Sequence, residues 1–131
     1  MASLTDDQAS YFTAANVGML GTTRADGSAH VSPVWVDYDG GRVVLNTVEG
    51  RAKWKHLVRD PRGTVTVTGA GNPYEYVEVS GPAELTTEGA EEHIDVMAKK
   101  YLGVDKYPFS QPGDKRVLVR ISPERVTHYK P

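Results

Sequence analysis

Arg51 and Lys53, separated by one residue, follow Gly50 in the segment Gly50-Arg51-Ala52-Lys53-Trp54-Lys55-His56-Leu57-Val58-Arg59-Asp60-Pro61. Trp54, Leu57 and Val58 fall at i, i+3 and i+4, which predicts a helix over 51–59 with that stripe buried. Asp60-Pro61 closes it. Positive charge in a first helical turn opposes the macrodipole and costs on the order of a few tenths of a kcal/mol per residue. A bound phosphate reverses that sign, because the same turn offers unpaired backbone N–H groups, Arg a fork of donors and Lys a point charge. Arg51, Lys55 and Arg59 also stack at i+4 spacing, so a solvated basic face accounts for the charges equally well. The pattern by itself names no ligand.

A second cluster combines His30-Val31-Ser32-Pro33-Val34 with Asn46-Thr47. Pro33 interrupts a segment otherwise suited to a strand. Having no N–H, it marks an edge, a bulge, or a place where something other than backbone lies alongside. If the two strands are neighbours, Ser32, Asn46 and Thr47 converge beside the phosphate cradle with free backbone groups near Pro33, an arrangement that suits a flat heterocycle. Taken locally, Ser32 and Thr47 are equally ordinary strand residues. Tyr74 and Tyr76, in a later strand, can stack on such a ring or simply pack.

Other chemistries lose their support. There is no cysteine, which excludes disulfides, thiolate catalysis and Cys-type metal sites. His30, His56, His93 and His128 are scattered without i, i+4 pairing or an HExxH frame, so no metal site is expected. No G-x-S-x-G elbow, Walker A loop or G-x-G-x-x-G is present, and Gly69-Ala70-Gly71 reads as a turn. Fifteen Lys and Arg against 17 Asp and Glu give a net charge of −2, which argues against a nucleic-acid partner. No run approaches the ~20 apolar residues of a membrane span. Met1 to Asp7 lacks the basic and apolar regions of a secretion signal, so a cytoplasmic location is expected.

At 131 residues the expectation is a single domain, 1–131, of radius roughly 14 Å that buries about two-thirds of its unfolded surface. No repeat, low-complexity tract or linker divides it. Thr5-Asp6-Asp7-Gln8 is a capping box opening a helix to about Ala15. Segments 17–23, 28–38 and 42–47, joined at Asp26-Gly27 and Asp39-Gly40-Gly41, predict a three-stranded antiparallel meander. Segments 63–68 and 74–85 predict two more strands around a Gly69–Pro73 loop. A helix over 88–102 should bury Ile94, Met97, Ala98 and Tyr101, with Thr87 as N-cap and Gly103 as stop. Segment 115–122 is a sixth strand with Val117, Val119 and Ile121 on one face, and 125–129 can extend the sheet. Six antiparallel strands with short helices in so short a chain imply a small, nearly closed barrel. Such a barrel has little interior, which places a ligand site on its outside, in a groove completed by a second copy.

Several stretches together carry a family resemblance. They are Val17-Gly18-Met19-Leu20-Gly21-Thr22 with Asp26-Gly27, Ser32-Pro33-Val34-Trp35, Gly50-Arg51-Ala52-Lys53 with Leu57 and Arg59-Asp60-Pro61, and Val79-Ser80-Gly81-Pro82-Ala83. Nearly end to end, the chain resembles the flavin/deazaflavin oxidoreductase group, relatives of pyridoxamine phosphate oxidase with a six-stranded split β-barrel of mainly β (α+β) class. Tyr101-Leu102-Gly103, Lys106-Tyr107-Pro108-Phe109 and Pro112-Gly113 before Arg116-Val117 look most like its branch that uses coenzyme F420.

The resemblance implies a homodimer with two cofactor sites at its interface, each drawing on both chains. Arg51 and Lys53 match the phosphate-binding R-x-K positions. Ser32, Pro33 and Val34 match the segment along the ring system, and Asn46 and Thr47 the strand end beneath it. Tyr74 falls where relatives present an aromatic from the partner subunit. By charge, Lys55, His56 and Arg59 would meet the anionic oligoglutamate tail of F420. The implied reaction is hydride transfer from C5 of reduced F420 to an electron-poor acceptor of activated alkene, quinone or tetrapyrrole type, with no residue singled out as catalytic. FMN is the alternative cofactor, for an oxidase or reductase of the same fold, and a non-catalytic F420 carrier is a third reading. Vitamin-B6 oxidation is not expected, since Tyr129-Lys130-Pro131 offers no counterpart of the substrate-phosphate residues of such oxidases.

Overall fold

The computed structural model describes residues 2–131. Helix α1 (Asp6–Thr13) opens with the expected reciprocal cap: the Gln8 N–H donates to Thr5 Oγ1 at 3.2 Å, and the Thr5 N–H to Gln8 Oε1 at 2.9 Å. It buries Tyr11 and Phe12 against the barrel. Strand β1 (Val17–Thr23) pairs antiparallel with β2 (Ala29–Trp35) around the Asp26-Gly27 turn.

The expected meander does not form. Segment 28–38 divides at Val36 into β2 and a short β3 (Asp37–Asp39), and β3 rather than β2 pairs with β4 (Arg42–Val48). The cause lies 65 residues away in sequence. Val36 is fully buried, its N–H donates to the Tyr101 hydroxyl at 3.0 Å, and its carbonyl accepts from Lys100 Nζ at 2.6 Å. Side chains of a helix thus satisfy the backbone where the ladder is interrupted, and the chain passes from one end of the sheet to the other.

Helix α2 (Ala52–Arg59) follows, then β5 (Arg62–Gly69) and the long β6 (Asn72–Thr86). The β5–β6 connection is a tight hairpin, with Gly69 paired opposite Asn72, instead of a five-residue loop. The first part of β6 pairs with β5 and with β8 (Arg125–Tyr129), and its last four residues pair with β7 (Arg116–Ile121). Where β6 changes partner, Gly81 approaches the β7–β8 connection so closely that a Cβ would sit 1.9 Å from the Ser122 carbonyl oxygen.

The strand order is β2-β1-β5-β6-β7-β4-β3 with β8 on β6, an antiparallel sheet curled into a split barrel and flanked by three helices. Among the described residues the strands number eight because one expected strand is divided and β8 is added. Leu20, Leu45, Val65, Val79, Val119 and Ile121 fill the interior with Phe12 and Leu57 from the helices. Each such side chain contributes about 1.5–3 kcal/mol of burial.

Two helix expectations are corrected. Val58 is 58% exposed, because Leu57 points straight inward and the next residue is rotated about 100° from it on a short helix with a single wall to lie on. Helix α3 (Ala90–Leu102) starts two residues later than expected. Its N-cap is Gly89 at φ 78°, and Thr87 serves instead through its carbonyl, which accepts from the Ala90 N–H at 3.2 Å. The turn out of β6 occupies 87–89 and requires at Gly89 the left-handed conformation that glycine adopts freely. Gly103 ends α3 as expected. Ile94, Met97 and Ala98 are buried, and Ala90 packs with Val44 and Leu118 on the sheet's other face.

Candidate functional site

A groove of about 360 Å³ lies where the end of β4, the start of α2, β2, α3 and the loop before β7 meet. Its volume falls in the range of small-molecule sites. Pro33, Val34, Asn46, Thr47, Arg51 and Lys53 all line it. The break at Val36 makes this convergence possible: β2 and β4 are not paired, and Pro33 and Asn46 line the groove from separate strands.

The cationic end is built by the turn from β4 into α2. Gly50 takes φ 95°, and Arg51 is the N-cap, its N–H donating to the Val48 carbonyl at 3.2 Å while its side chain makes no capping bond. Lys53 is the second helical residue, and the first turn holds no acid. Burial, and secondarily the Arg51 charge, push the Lys53 ammonium below the ordinary lysine range. Among the described residues neither cation is paired with a carboxylate, and no carboxylate lines the groove.

A third cation, not singled out above as a binding residue, completes this end. Arg116 opens β7 opposite Val48 and is 4% exposed. Its Nη1 donates to Asn46 Oδ1 at 3.4 Å, and its guanidinium lies 4.6 Å over the Tyr107 ring. Asn46 is itself held, donating through Nδ2 to the Ala90 carbonyl at 2.9 Å and facing His93 Nδ1 at 3.2 Å. Burial lowers the His93 pKa, against the pull of Asp37 at 4.0 Å.

The remaining wall is apolar. Trp35 stacks on Tyr101 at 5.1 Å and meets Tyr107 edge-on at 5.9 Å, and Tyr107 meets Phe109 at 5.6 Å. Val17, Ile94 and Met97 continue it. Asp95 accepts the Tyr107 N–H at 2.9 Å and pins this loop to α3.

Five residues expected at the site do not line the groove. Ser32 alternates away from Pro33 on β2, opposite Leu20, and its Oγ is buried without a partner. Tyr74 is 75% exposed at the β5–β6 hairpin, in a separate depression with Pro73, Tyr76 and Tyr129. Lys55 is on the exposed face of α2. His56 turns inward, its Nδ1 2.8 Å from Thr22 Oγ1 and its ring edge-on to His30 at 5.2 Å. Arg59 donates to the Thr23 carbonyl.

Arg116, Tyr107, Trp35 and Phe109, with Val17, Ile94 and Met97, are the lining residues that sequence reasoning did not assign to the site. A usable signal existed for Arg116: it adjoins Val117-Leu118-Val119, a run apolar on both faces, where a charged residue is buried and needs a partner. Among the described residues no cluster of His, Asp or Glu could hold a metal ion, and no helix is long and apolar enough to cross a membrane.

The groove has concentrated positive charge at one end and an aromatic wall along its length. A family model described as pyridoxamine 5'-phosphate oxidase matches residues 4–130, and the chain belongs to that family. Among solved structures, a protein named F420 reductase superposes with a TM-score of 0.80 at 24% identity, over 95% of this chain and 98% of that one. A conserved hypothetical protein from Mycobacterium tuberculosis gives 0.77 at 24% identity, over 96% and 84%. General Stress Protein 26 from Bacillus anthracis gives 0.71 at 19% identity, over 95% and 93%. These likenesses establish a shared split-barrel fold.

Proposed function

We propose that this chain is an F420-dependent oxidoreductase that passes hydride from the reduced deazaflavin to an electron-poor small molecule, such as an activated alkene, a quinone or a tetrapyrrole. The observation that carries this reading is the cationic end of the groove, Arg51, Lys53 and Arg116 without a carboxylate, set against a wall of Trp35, Tyr107 and Phe109. Arg51 and Lys53 would hold the phosphate, and the polar edges of Asn46 and Thr47 would lie beneath the ring. Pro33 and Val34 would run alongside it, the proline presenting a backbone edge with no N–H of its own. When bound, the cofactor supplies the hydride-donating carbon; the protein binds, orients and excludes water. Among the described residues no carboxylate or imidazole lines the groove, so solvent would donate the proton.

A second copy of the chain belongs to this reading. Val17, Met19 and Val31 are 53%, 42% and 59% exposed on the outer face of β1 and β2, a surface suited to a homodimer contact. The partner would then bring its exposed Tyr74 to the open side of the groove. The similarity to a protein named F420 reductase supports the deazaflavin over other cofactors. The family description favours a second reading, an FMN-dependent oxidase or reductase using the same phosphate ligands.

The test is turnover. Purified protein mixed with excess reduced F420 and a panel of quinones and activated alkenes should oxidise many equivalents of F420 per chain. Stoichiometric binding with no oxidation across the panel would instead describe a carrier, and a yellow protein active only with FMN would describe the flavin enzyme.

A further inference from the structure

We propose that Arg116 is a second oxyanion-binding residue of the groove, holding two oxygens of a carboxylate or phosphate along the Nε–Nη2 edge of its guanidinium. The inference rests on the reading of the groove as a ligand site and adds to it a subsite on β7, outside the Arg51–Lys53 turn. A guanidinium stays charged at any physiological pH, and burying one leaves five N–H donors to be satisfied. Arg116 is 4% exposed, yet Nη1 alone has a partner, the Asn46 amide oxygen, while Nε and Nη2 are buried with none. These two donors lie side by side on one edge, with the spacing that matches the paired oxygens of a carboxylate or phosphate.

The surroundings fix that edge in place. Asn46 commits its Nδ2 to the Ala90 carbonyl and to His93 Nδ1, so its oxygen must face Arg116. Tyr107 supports one face of the guanidinium, and the Tyr107 N–H is tied to Asp95. A structural arginine of this kind would be expected to meet a carboxylate within the fold. Every acid that makes an ion pair among the described residues does so with another cation, and none lines the groove. Arg116 lines the groove, and from that side the missing acceptor is inferred to arrive, with a small shift of the side chain that uncovers the buried edge. The oxyanion can come from the cofactor's own phosphate and tail or from an acidic acceptor bound next to it.

The experiment is calorimetric titration of the full chain and of its Arg116→Gln and Arg116→Lys variants with inorganic phosphate, FMN, riboflavin, F420 and the phosphate-free deazaflavin. The expected result is at least tenfold weaker phosphate binding in Arg116→Gln and only partial recovery in Arg116→Lys, which keeps the charge without the paired edge. If the oxyanion is the cofactor's, FMN or F420 suffers the same loss while riboflavin and the phosphate-free deazaflavin do not. If it is the acceptor's, cofactor affinity holds and phosphate binding to the cofactor-loaded protein depends on Arg116. Should Arg116→Gln not fold, Arg116→Lys decides. Phosphate and cofactor affinities unchanged in a folded variant, or no phosphate binding together with unchanged cofactor affinity, would overturn the subsite and leave the cofactor reading standing. Arg116-dependent phosphate binding by a protein that takes neither F420 nor FMN would overturn the cofactor reading and leave the subsite standing.

Discussion

Lys53 carries the most diagnostic charge in the molecule. It sits in a first helical turn with no acid, half-buried beside Arg51, a placement that opposes the helix dipole and depresses its own pKa. An anion in the groove relieves both penalties. Lys53→Ala should therefore weaken binding of a phosphate-bearing cofactor more than tenfold, since a charge-assisted contact is worth around 1.5–3 kcal/mol, while leaving the melting temperature unchanged or raised. Fluorescence titration beside a thermal melt reads both. His93 makes a pH prediction. Burial lowers its pKa, with Arg120 and Lys100 acting in the same direction and Asp37 and Asp39 against it. The neutral imidazole is thus the form the fold favours. Its contribution is complete above the unfolded value of about 6.5 and is lost as pH falls from there through the lower folded value. Denaturant midpoints should drop across that acid window, and His93→Gln should flatten part of the slope. That Arg51 and Lys53 share the start of one helix was legible in sequence because the pattern is local. Arg116 and Tyr107 were not, because their place beside Lys53 depends on the β4–β7 register and on a loop held by Asp95.

At the scale of elements, the informative event is the transfer of the chain at Val36 from one end of the sheet to the other. The Tyr101 hydroxyl accepts the Val36 N–H and donates to the Asn16 carbonyl at 2.6 Å, joining α3 to the point where β2 and β3 separate. Tyr101→Phe keeps the ring stacked on Trp35 but leaves the Val36 N–H unpaired in the core, a loss of about 1–3 kcal/mol readable as a lower urea midpoint at constant m. Gly81→Ala should be worse, about 3 kcal/mol or more, because its Cβ meets backbone rather than a side chain that can move. The α1 cap was legible because Thr5 and Gln8 satisfy one another within one turn. The meander was misread because Asp39-Gly40-Gly41 correctly signals the β3–β4 turn, while nothing within 28–38 reveals that a tyrosine 65 residues on takes the place of a ladder partner. The alternation in 63–68 survived intact, and Val119 and Ile121 keep their shared inner face although Leu118 is buried on the other, since strands packed on a core keep their period whatever their neighbours.

The whole molecule is a split barrel whose interior is filled by side chains, leaving the outside for function. Two surfaces follow: the groove at the end of β4, and the outer face of β1 and β2 with its exposed Val17, Met19 and Val31. If the second copy proposed above docks on that face, Val31→Glu should convert a dimer to a monomer by sedimentation analysis and weaken cofactor binding at the same time. A monomeric wild type that binds cofactor at full strength would remove the partner from the account.

Paired equilibrium titrations with F420 and FMN at identical salt decide whether the groove is a deazaflavin site. Saturable F420 binding at micromolar affinity or better is expected, tighter than FMN and more than tenfold weaker in Lys53→Ala. Preference for FMN would move the chain to the flavin-using side of its family, and binding of neither would contradict the claim outright.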